Sequence, residues 1–451
     1  MKPPLIGQGF GARGISARNA ENVWFEPRPQ GEKAMHVVRA LPRLEEAWQP
    51  KDLRLLASLD SGQYALAVDG VELHRVVIIN NPLNVLTATP VATLPWTATN
   101  TNFVEPRAAG GHDGWIVTTG HPQYVSYSNM AIMHTLPTGL EAISCVYHRG
   151  YYVIASQQRL YWMTDTESAP NPLNYAGADV SQDDIVEVVD LGSAIAVFGQ
   201  RTIQFFAVVG NADNPFQPIL EATQRIGVAY NRQIKVLDGI VYFWGYPEGG
   251  TPGLFALKGL SYTRIGNEDL ERAMIEAQLN AGSVTLDGFM LHGHPMVKLH
   301  GYGTGRTIMF DVSLGVPVSI TEGSPWHGRT WSIGVRGNVI TGSQKSVGIM
   351  RQGEVDSTVR RSVTTDHIVT ELLDRFQLDN VRADCVGMPA VQLEYSKDGG
   401  YNWIAHGTQS GANSTTTRTQ WNRLGTGRQF TLRLSATGDF NVANLMLNAR
   451  N

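Results

Sequence analysis

The sequence feature that most constrains the fold is a succession of short apolar runs between about residues 51 and 350. The runs are rich in β-branched and aromatic residues, and Gly, Asp, Asn or Pro bounds each of them, which is the pattern of strands joined by tight turns. Clear examples begin at Tyr64, Gly150 and Ser193. Several runs form pairs around a polar turn such as Ser156-Gln-Gln-Arg. The pattern therefore predicts a chain of β-hairpins.

Composition supports an all-β fold. Only 17% of the 451 residues are charged, against about 25% in ordinary globular chains, and 47 are glycine. Successive hairpins with little helix are typical of a β-propeller or a large β-sandwich. The repeat is too degenerate to give a blade number. We predict a β-propeller-like body with an appended β-sheet domain.

Three domains are predicted. Residues 1–50 are rich in Pro, Gly and Arg and contain the aromatic stretch Asn22-Val-Trp-Phe-Glu-Pro, so they predict an extended N-terminal arm that docks elsewhere. Residues 51–350 form the propeller-like body. Residues 351–451 contain alternating strands on either side of the polar stretch that begins at Gly407, and they predict a C-terminal β domain.

One segment departs from the β pattern. Asn267 can cap a helix, acidic residues follow it in the first turn, and Leu270 and Met274 recur at helical spacing. We predict a single helix here, as a connector between blades.

Charge and cysteine content exclude several classes. The net charge of −4 lacks the basic excess of a protein that grips phosphates. Cys145 and Cys385 belong to no CxxC pattern, which argues against a disulfide framework and against a zinc site. No apolar stretch reaches the length of a membrane span, and the N-terminus lacks the core of a signal peptide. We expect synthesis in the cytoplasm, no membrane span and no cofactor.

The sharpest local motif lies in the C-terminal domain. Ser396, Asp398, Gly400 and Trp403 fit the S-x-D-x-G-x-x-W pattern of an Asp-box. Asp398 can accept hydrogen bonds from turn amides, Gly400 can adopt a positive φ, and Trp403 can pack over the turn. Such boxes occur in sialidase propellers, but a glycosidase also needs a tyrosine nucleophile, a carboxylate and an arginine cluster. No such constellation is recognisable, so we predict a structural hairpin and no catalytic residue.

An acidic cluster, formed by Asp183, Asp184, Glu187 and Asp190, suggests paired carboxylates for acid–base chemistry or for a cation. The apolar residues among them favour a strand flanked by acids. Such a cluster also suits a surface along which DNA must slide without sticking.

Two other patterns resemble sites and lack essential parts. His292, His294 and His300 suggest a metal set, but Gly293 and Pro295 interrupt the strand and no carboxylate or cysteine completes it. The glycine-rich segments 7–14 and 301–306 do not join a strand to a helix as phosphate-binding loops do. We predict turns and no metal site.

The order of several motifs resembles a known family. Residues 4–34 resemble the opening of the tail nozzle or "packaged DNA stabilization" proteins of short-tailed double-stranded DNA bacteriophages. Ala40-Leu-Pro-Arg-Leu stands where the family has a Thr/Ser-Pro-Gly-Leu segment. The C-terminal Tyr395-Ser-Lys-Asp-Gly-Gly-Tyr-Asn-Trp, Trp421-Asn-Arg-Leu-Gly and Phe430-Thr-Leu-Arg-Leu-Ser are similar to its ending.

The middle of the chain is more similar to that family. The matching segments, in order, are Arg149-Gly-Tyr-Tyr-Val-Ile, Leu160-Tyr-Trp-Met-Thr-Asp, Asn174-Tyr-Ala, Ala178 to Ile185, Ala196-Val-Phe-Gly-Gln-Arg-Thr-Ile-Gln-Phe-Phe and Arg225-Ile-Gly-Val-Ala. The shared order covers most of the chain.

The resemblance implies a virion tail protein that is not an enzyme. It implies a homo-oligomeric ring, usually a hexamer, below the portal and adaptor. The ring would extend the DNA exit channel, help to retain packaged DNA and dock tail fibres or a plug, and double-stranded DNA would pass without specific binding. The alternative is a receptor- or glycan-binding tail component with exposed Trp and Tyr on its loops. An enzyme acting on capsule or cell-wall glycan is the third hypothesis.

Overall fold

The structure is a computed structural model of the 451-residue chain. It describes residues 5–6, 20–27, 36–59, 64–79, 85–94, 106–110, 114–118, 123–126, 132–135, 142–164, 170–178, 183–210, 214–279, 283–370, 373–385, 387–388, 390–410 and 417–450. The chain divides into a larger unit, residues 45–304 and 329–350, and a smaller unit, residues 1–44, 305–328 and 351–451.

Antiparallel sheets of consecutive strands make up the larger unit. The first sheet contains β6 (Leu53–Leu59), β7 (Tyr64–Asp69), β8 (Glu72–Ile79) and β9 (Val85–Thr93). The second contains β10 (Arg107–Gly110), β11 (Gly114–Thr118), β12 (Gln123–Ser126) and β13 (Ile132–Thr135). The third contains β14 (Ser144–His148), β15 (Tyr151–Ser156), β16 (Arg159–Thr164) and β17 (Tyr175–Gly177).

The remaining sheets follow the same plan. The fourth contains β18 (Ile185–Asp190), β19 (Ile195–Gly199), β20 (Ile203–Val208) and β21 (Phe216–Pro218). The fifth contains β22 (Ile226–Gly227), β23 (Ile234–Leu237), β24 (Ile240–Pro247), β25 (Gly253–Lys258) and β26 (Ser261–Arg264). The sixth contributes the hairpin β27 (Val284–Leu291) and β28 (His294–Gly301) to this unit. The seventh contains β31 (Trp331–Val335), β32 (Asn338–Ser343), β33 (Ser346–Val355) and β5 (Pro42–Trp48).

Tight turns join the strands, as the sequence predicts. Gln157 and Asp238 adopt positive φ values of 49°, and each lies at the turn between two paired strands. Gly150 adopts a φ of 90° at the turn between β14 and β15. Such backbone suits a two-residue hairpin, because its twist matches that of the flanking strands.

The sheets of the larger unit are the blades of a closed propeller. Their inner strands β6, β10, β14, β18, β23, β27 and β31 pack side by side in sequence order, and β31 returns to β6. In the part of the chain that the structure describes, this gives seven blades. The prediction of an all-β chain with a propeller-like body is confirmed, and the structure supplies the blade number that the sequence did not give.

Hydrophobic clusters between neighbouring blades hold the ring together. Phe198 of blade four and Phe243 of blade five meet edge to face, with ring centroids 5.4 Å apart, and Phe255 stacks on Phe243 at 5.6 Å. A second cluster joins Leu56 of blade one to Trp331 of blade seven. Burying an aromatic or aliphatic side chain of this kind stabilises by about 1.5–3 kcal/mol.

An early strand of the unit completes its last blade. β5 pairs along the outer edge of β33, and Ser346 Oγ donates to Glu46 Oε2 at 2.7 Å. At Gly348 a Cβ atom would lie 2.7 Å from the carbonyl oxygen of Glu45, so only glycine allows this close approach. This pairing closes the ring.

The predicted helix is confirmed as α1 (Glu268–Leu279). Asn267 Oδ1 accepts from the backbone N–H of Leu270 at 2.9 Å, as a capping residue does. Leu270, Met274 and Ala277 form its buried face. Among the described residues, no helix is long and apolar enough to cross a bilayer.

The smaller unit is also built from strands. One set pairs in the order β1 (Leu5–Ile6), β35 (Ile368–Thr370), β40 (Gln429–Thr437), β34 (Arg360–Thr364), β2 (Ala20–Glu21), β30 (Val316–Ile320) and β29 (Arg306–Asp311), with β37 (Ala390–Ser396) between β40 and β38 (Ile404–Ser410). A second sheet has the order β3 (Val23–Pro27), β4 (His36–Ala40), β41 (Asn441–Arg450), β36 (Phe376–Cys385) and β39 (Thr417–Gly427).

The described part of the predicted arm belongs to these sheets. Trp24 and Phe25 are 3% exposed, and Asn22 Nδ2 donates to Thr321 Oγ1 at 2.7 Å within the same unit. Most of residues 1–19 lie outside the described residues. Residues 305–328 join the smaller unit, which the sequence did not indicate. Division into separable domains 1–50, 51–350 and 351–451 stays a prediction.

Candidate functional site

The seven inner strands surround a cavity of about 420 Å³ in the larger unit. Apolar residues from these strands line most of it. Charged residues also reach it, and these are Arg107, Glu187, Asp190, Arg232, Lys235, Asp287 and Arg329. Because charges are rarely buried without partners, the pairing of these side chains decides what the cavity can do.

The first polar network is centred on Glu187 in β18. Its side chain is 6% exposed, and Oε2 lies 2.6 Å from Arg107 Nε in β10. Ser144 Oγ in β14 donates to Oε1 and accepts from the backbone N–H of Val188 at 3.2 Å. Arg107 also donates through Nη2 to the carbonyl oxygen of Asn231 at 2.6 Å. One arginine and one glutamate thus connect blades two to five across the axis.

The second polar network is centred on Asp287 in β27. Lys235 Nζ in β23 lies 3.2 Å from Asp287 Oδ1. Thr330 and Ser332, at the start of blade seven, donate their hydroxyls to Oδ2 at 2.8 and 2.6 Å, and the N–H of Ser332 donates to Oδ1 at 2.9 Å. The carboxylate therefore links blades five, six and seven.

Charge balance stabilises the ionised form of Asp287. Burial alone would raise the pKa of this carboxyl, but the charges of Lys235 and Lys298 and hydrogen bonds from Ser332 and Thr330 hold it below its usual range. Lys298, the cross-strand partner of Asp287, is 2% exposed. Its burial lowers the pKa of its ammonium to about 8.

Both carboxylates have a cationic partner within the axial networks. Glu187 and Asp287 are each held by a cation and by hydroxyl or amide donors, which stabilise the charged form. The networks therefore serve to connect blades.

The acidic cluster of the sequence is dispersed in the structure. Asp183 is 6% exposed and accepts from the backbone N–H groups of Gln200, Arg201 and Thr202 in the β19–β20 turn. Asp184 is exposed. The expected strand flanked by acids is corrected, because Glu187 lies within β18 at a bulge and points into the axial network.

The fourth acid of that cluster forms a link between blades. Asp190 Oδ1 lies 2.8 Å from Nδ1 of His148, a buried residue at the end of β14. The four acids therefore do not form one surface that could face DNA.

The histidine set is also separated. His292 and Gly293 form the turn between β27 and β28, with positive φ values of 48° and 84°. His300 lies near the far end of β28, with its ring 4.9 Å from that of Tyr302. Among the described residues, no three His, Cys, Asp or Glu side chains form a group that could hold a metal ion. Cys145 and Cys385 are buried free thiols.

The Asp-box forms the turn between β37 and β38 in the smaller unit. Asp398 Oδ1 accepts from Ser396 Oγ at 2.6 Å and from the N–H of Asn402 at 2.9 Å. Gly400 has a φ of 93°, and its N–H donates to Ser396 Oγ at 2.8 Å. A Cβ atom at Gly400 would lie 3.6 Å from Trp403. This geometry matches that of a hairpin turn, and a purely structural role stays a prediction.

Apart from Glu187, which the acidic cluster includes, the sequence did not single out the residues of the axial networks. Arg107, Ser144, Lys235, Asp287 and Ser332 stand alone within apolar runs, and their partners lie tens of residues away. The available signal was a polar side chain in the first strand of successive hairpins. Without a blade count, that position could not be recognised.

One comparison with known proteins, a match to a family model, agrees with this architecture. Residues 111–318 match the family model described as "Bacteriophage P22 Gp10, beta-propeller". Among solved structures, the WD40 domain of Neurospora crassa Pan2 is similar over 68% of this chain and 90% of that chain, with 8% identity and a TM-score of 0.43. No curated protein sequence matches this chain. The assignment of a propeller rests on the strand pairing and the family match.

Proposed function

We propose that this chain, whose residues 111–318 match the bacteriophage P22 Gp10 propeller family, forms a tail nozzle or hub ring of a short-tailed bacteriophage. The family match supports a structural phage tail protein that is involved in stabilising packaged DNA and that assembles with other virion parts. The ring, which we expect to be a hexamer, would lie below the portal and adaptor and extend the DNA exit channel.

The blocked propeller axis is the observation that carries this proposal. Arg107, Glu187 and Asn231 form hydrogen bonds across the axis, and the cavity between the inner strands holds about 420 Å³. Duplex DNA cannot pass through such a space. A channel for DNA would therefore have to form between copies of the chain, with each propeller as one segment of its wall.

The charge of the chain suits a channel that does not hold DNA. Binding to the DNA backbone depends on Lys and Arg that neutralise phosphates, whereas this chain has 36 basic and 40 acidic residues. A net negative ring would let DNA pass without specific contacts. Retention of packaged DNA would then depend on the parts docked on the ring, such as the adaptor, fibres or a plug.

A non-enzymatic role is part of the proposal. The buried carboxylates of the larger unit are engaged with cations and hydroxyls, and the Asp-box carboxylate is engaged with its own turn. These structural contacts account for the buried and Asp-box carboxylates, so no catalytic role is needed to explain them. The chemistry of the virion would lie in other components.

The assembly state of the purified protein tests the proposal. Native mass spectrometry and negative-stain imaging, with and without the adaptor, should show closed rings of several copies. A protein that stays monomeric under all these conditions, and that binds glycans on an array, would contradict the ring and favour a receptor-binding component instead.

A further inference from the structure

A second concave site lies on the larger unit between blades four and five. It is a groove of about 810 Å³, within the size range of ligand sites. We call it the Arg201 groove, and its lining residues are Gln200, Arg201, Thr202, Thr223, Arg225, Tyr246, Pro247 and Glu248. Two of the segments that carry the family resemblance, the β19–β20 turn and the stretch that begins at Arg225, meet here.

The floor of the groove is rigidly built. Asp183 accepts three backbone N–H groups of the β19–β20 turn, including that of Arg201 at 2.7 Å. The N–H of Val228 donates to the carbonyl oxygen of Gly199 at 3.0 Å, which ties the next segment to the turn. A Cβ atom at Gly227 would lie 2.2 Å from the backbone of Gln200. Such a fixed backbone positions its side chains in advance, as binding sites require.

The chemistry of the groove favours an anionic group. Arg201 is exposed, and no acidic side chain of the described residues pairs with it. Arg225 is 81% exposed and lies 3.3 Å from Glu248. Thr223 Oγ1 is buried and has no hydrogen-bond partner among the described residues. Guanidinium groups pair with carboxylates through two parallel hydrogen bonds, and a hydroxyl can satisfy a further polar group.

We propose that the Arg201 groove binds a carboxylate-bearing segment of another virion protein. The proposal rests on the proposed function, because it supplies a docking site for a neighbouring tail component. The groove is too small for duplex DNA. A protein segment fits because the amide of Gln200 and the hydroxyl of Thr223 can bond its backbone while Arg201 holds its Asp or Glu.

A direct binding assay tests this site on the full chain. Fluorescence anisotropy with a labelled hexaglutamate peptide should show binding that weakens with salt. Arg201→Glu should weaken binding about tenfold or more, and Thr223→Val about threefold, because a charged hydrogen bond is worth more than a neutral one. Arg428→Glu, an exposed site in the smaller unit, makes the same charge change and should leave binding unchanged.

Three controls separate the possible outcomes. Circular dichroism and thermal unfolding must match between variants, and Arg201→Gln replaces Arg201→Glu if the latter does not fold. Competition by trigalacturonate stronger than by unlabelled hexaglutamate would assign the groove to an acidic saccharide and overturn the proposal. Absent binding, or equal binding by wild type and Arg201→Glu, would overturn it too. If rings still form in that case, the groove proposal fails and the proposed function stands.

Discussion

The axial networks of the propeller and the Asp-box hairpin of the smaller unit both use a carboxylate to organise the backbone, but over different distances. Glu187 pairs with the partly exposed side chain of Arg107, 80 residues away, and Asp287 accepts from buried residues 43 and 45 positions later. Among the described residues, the hydrogen-bond partners of Asp398 lie within four positions of it, at an exposed turn.

This difference separates two kinds of stabilisation. A buried carboxylate that joins several blades cannot lose its partner without leaving a charge in a low-dielectric interior, which is strongly destabilising. A carboxylate in an exposed turn can be solvated by water when its partners are lost. The axial networks should therefore control the stability of the whole larger unit, and the Asp-box only the order of its own turn.

The largest effect is expected for Asp287→Asn. The change leaves Lys235 and Lys298 without their shared counter-charge, and should lower the free energy of unfolding by about 3–5 kcal/mol. Urea unfolding followed by circular dichroism measures this loss. The exposed Asp184→Asn is the matched control and should change stability by less than about 0.5 kcal/mol. Equal effects of the two variants would contradict a structural role for the axial network.

A somewhat smaller loss is expected for Arg107→Met, because Arg107 is 20% exposed and water can reach part of the site. We expect about 2–4 kcal/mol, since Glu187 stays buried without its cation. A double-mutant cycle with Glu187→Gln should give a coupling energy of about 1–3 kcal/mol. Additive effects would show that the pair does not act as a unit. Arg428→Met, far from the axis in sequence and exposed, is the control.

The lowered pKa of Lys298 predicts that the free energy of unfolding depends on pH. Burial lowers its pKa to about 8 in the folded chain, against 10.5 for an ordinary lysine. Between these values the unfolded state binds more protons, so the free energy of unfolding should rise with pH. The difference between wild type and Lys298→Met, measured by urea unfolding from pH 7.5 to 10.5, isolates this contribution. If the difference in unfolding free energy stays constant over that range, Lys298 does not cause a pH dependence of stability.

The smallest effect is expected at the Asp-box. The N–H of Asn402, then the hydroxyl of Ser396, hold the pKa of Asp398 at about 2, below its ordinary value of 3.8. The contribution of the Asp398 carboxylate to the local stability of the turn is therefore present above pH 4 and is lost as the pH falls towards 2. Asp398→Asn should speed hydrogen exchange at the Asn402 amide and leave global unfolding unchanged. NMR measures both the titration and the exchange, and a global loss of stability would show that the turn is not local.

The sequence predicted the features that are local in the chain. The hairpins around Gln157 and Gly199, the helix capped by Asn267 and the Asp-box turn all follow from residues within a few positions of one another. The ordered motifs also resemble the family whose model matches residues 111–318.

Features that depend on long-range pairing could not be predicted. The number of blades depends on how seven inner strands close a ring, and the closing strand β5 precedes the other strands of that ring. The pairs Arg107 with Glu187 and Lys235 with Asp287 join different blades, so no local spacing reveals them. The sequence also could not show that residues 305–328 join the smaller unit, because the other segments of that unit lie at both ends of the chain.

The most direct test of the central claim is a cryo-electron microscopy reconstruction of DNA-filled tails or of the ring assembled on its adaptor. We predict several copies of the chain around one lumen, with DNA density between the propellers and none along the axis of any single propeller. DNA density through a propeller axis, or a tail in which this chain is present as a single copy, would contradict the account.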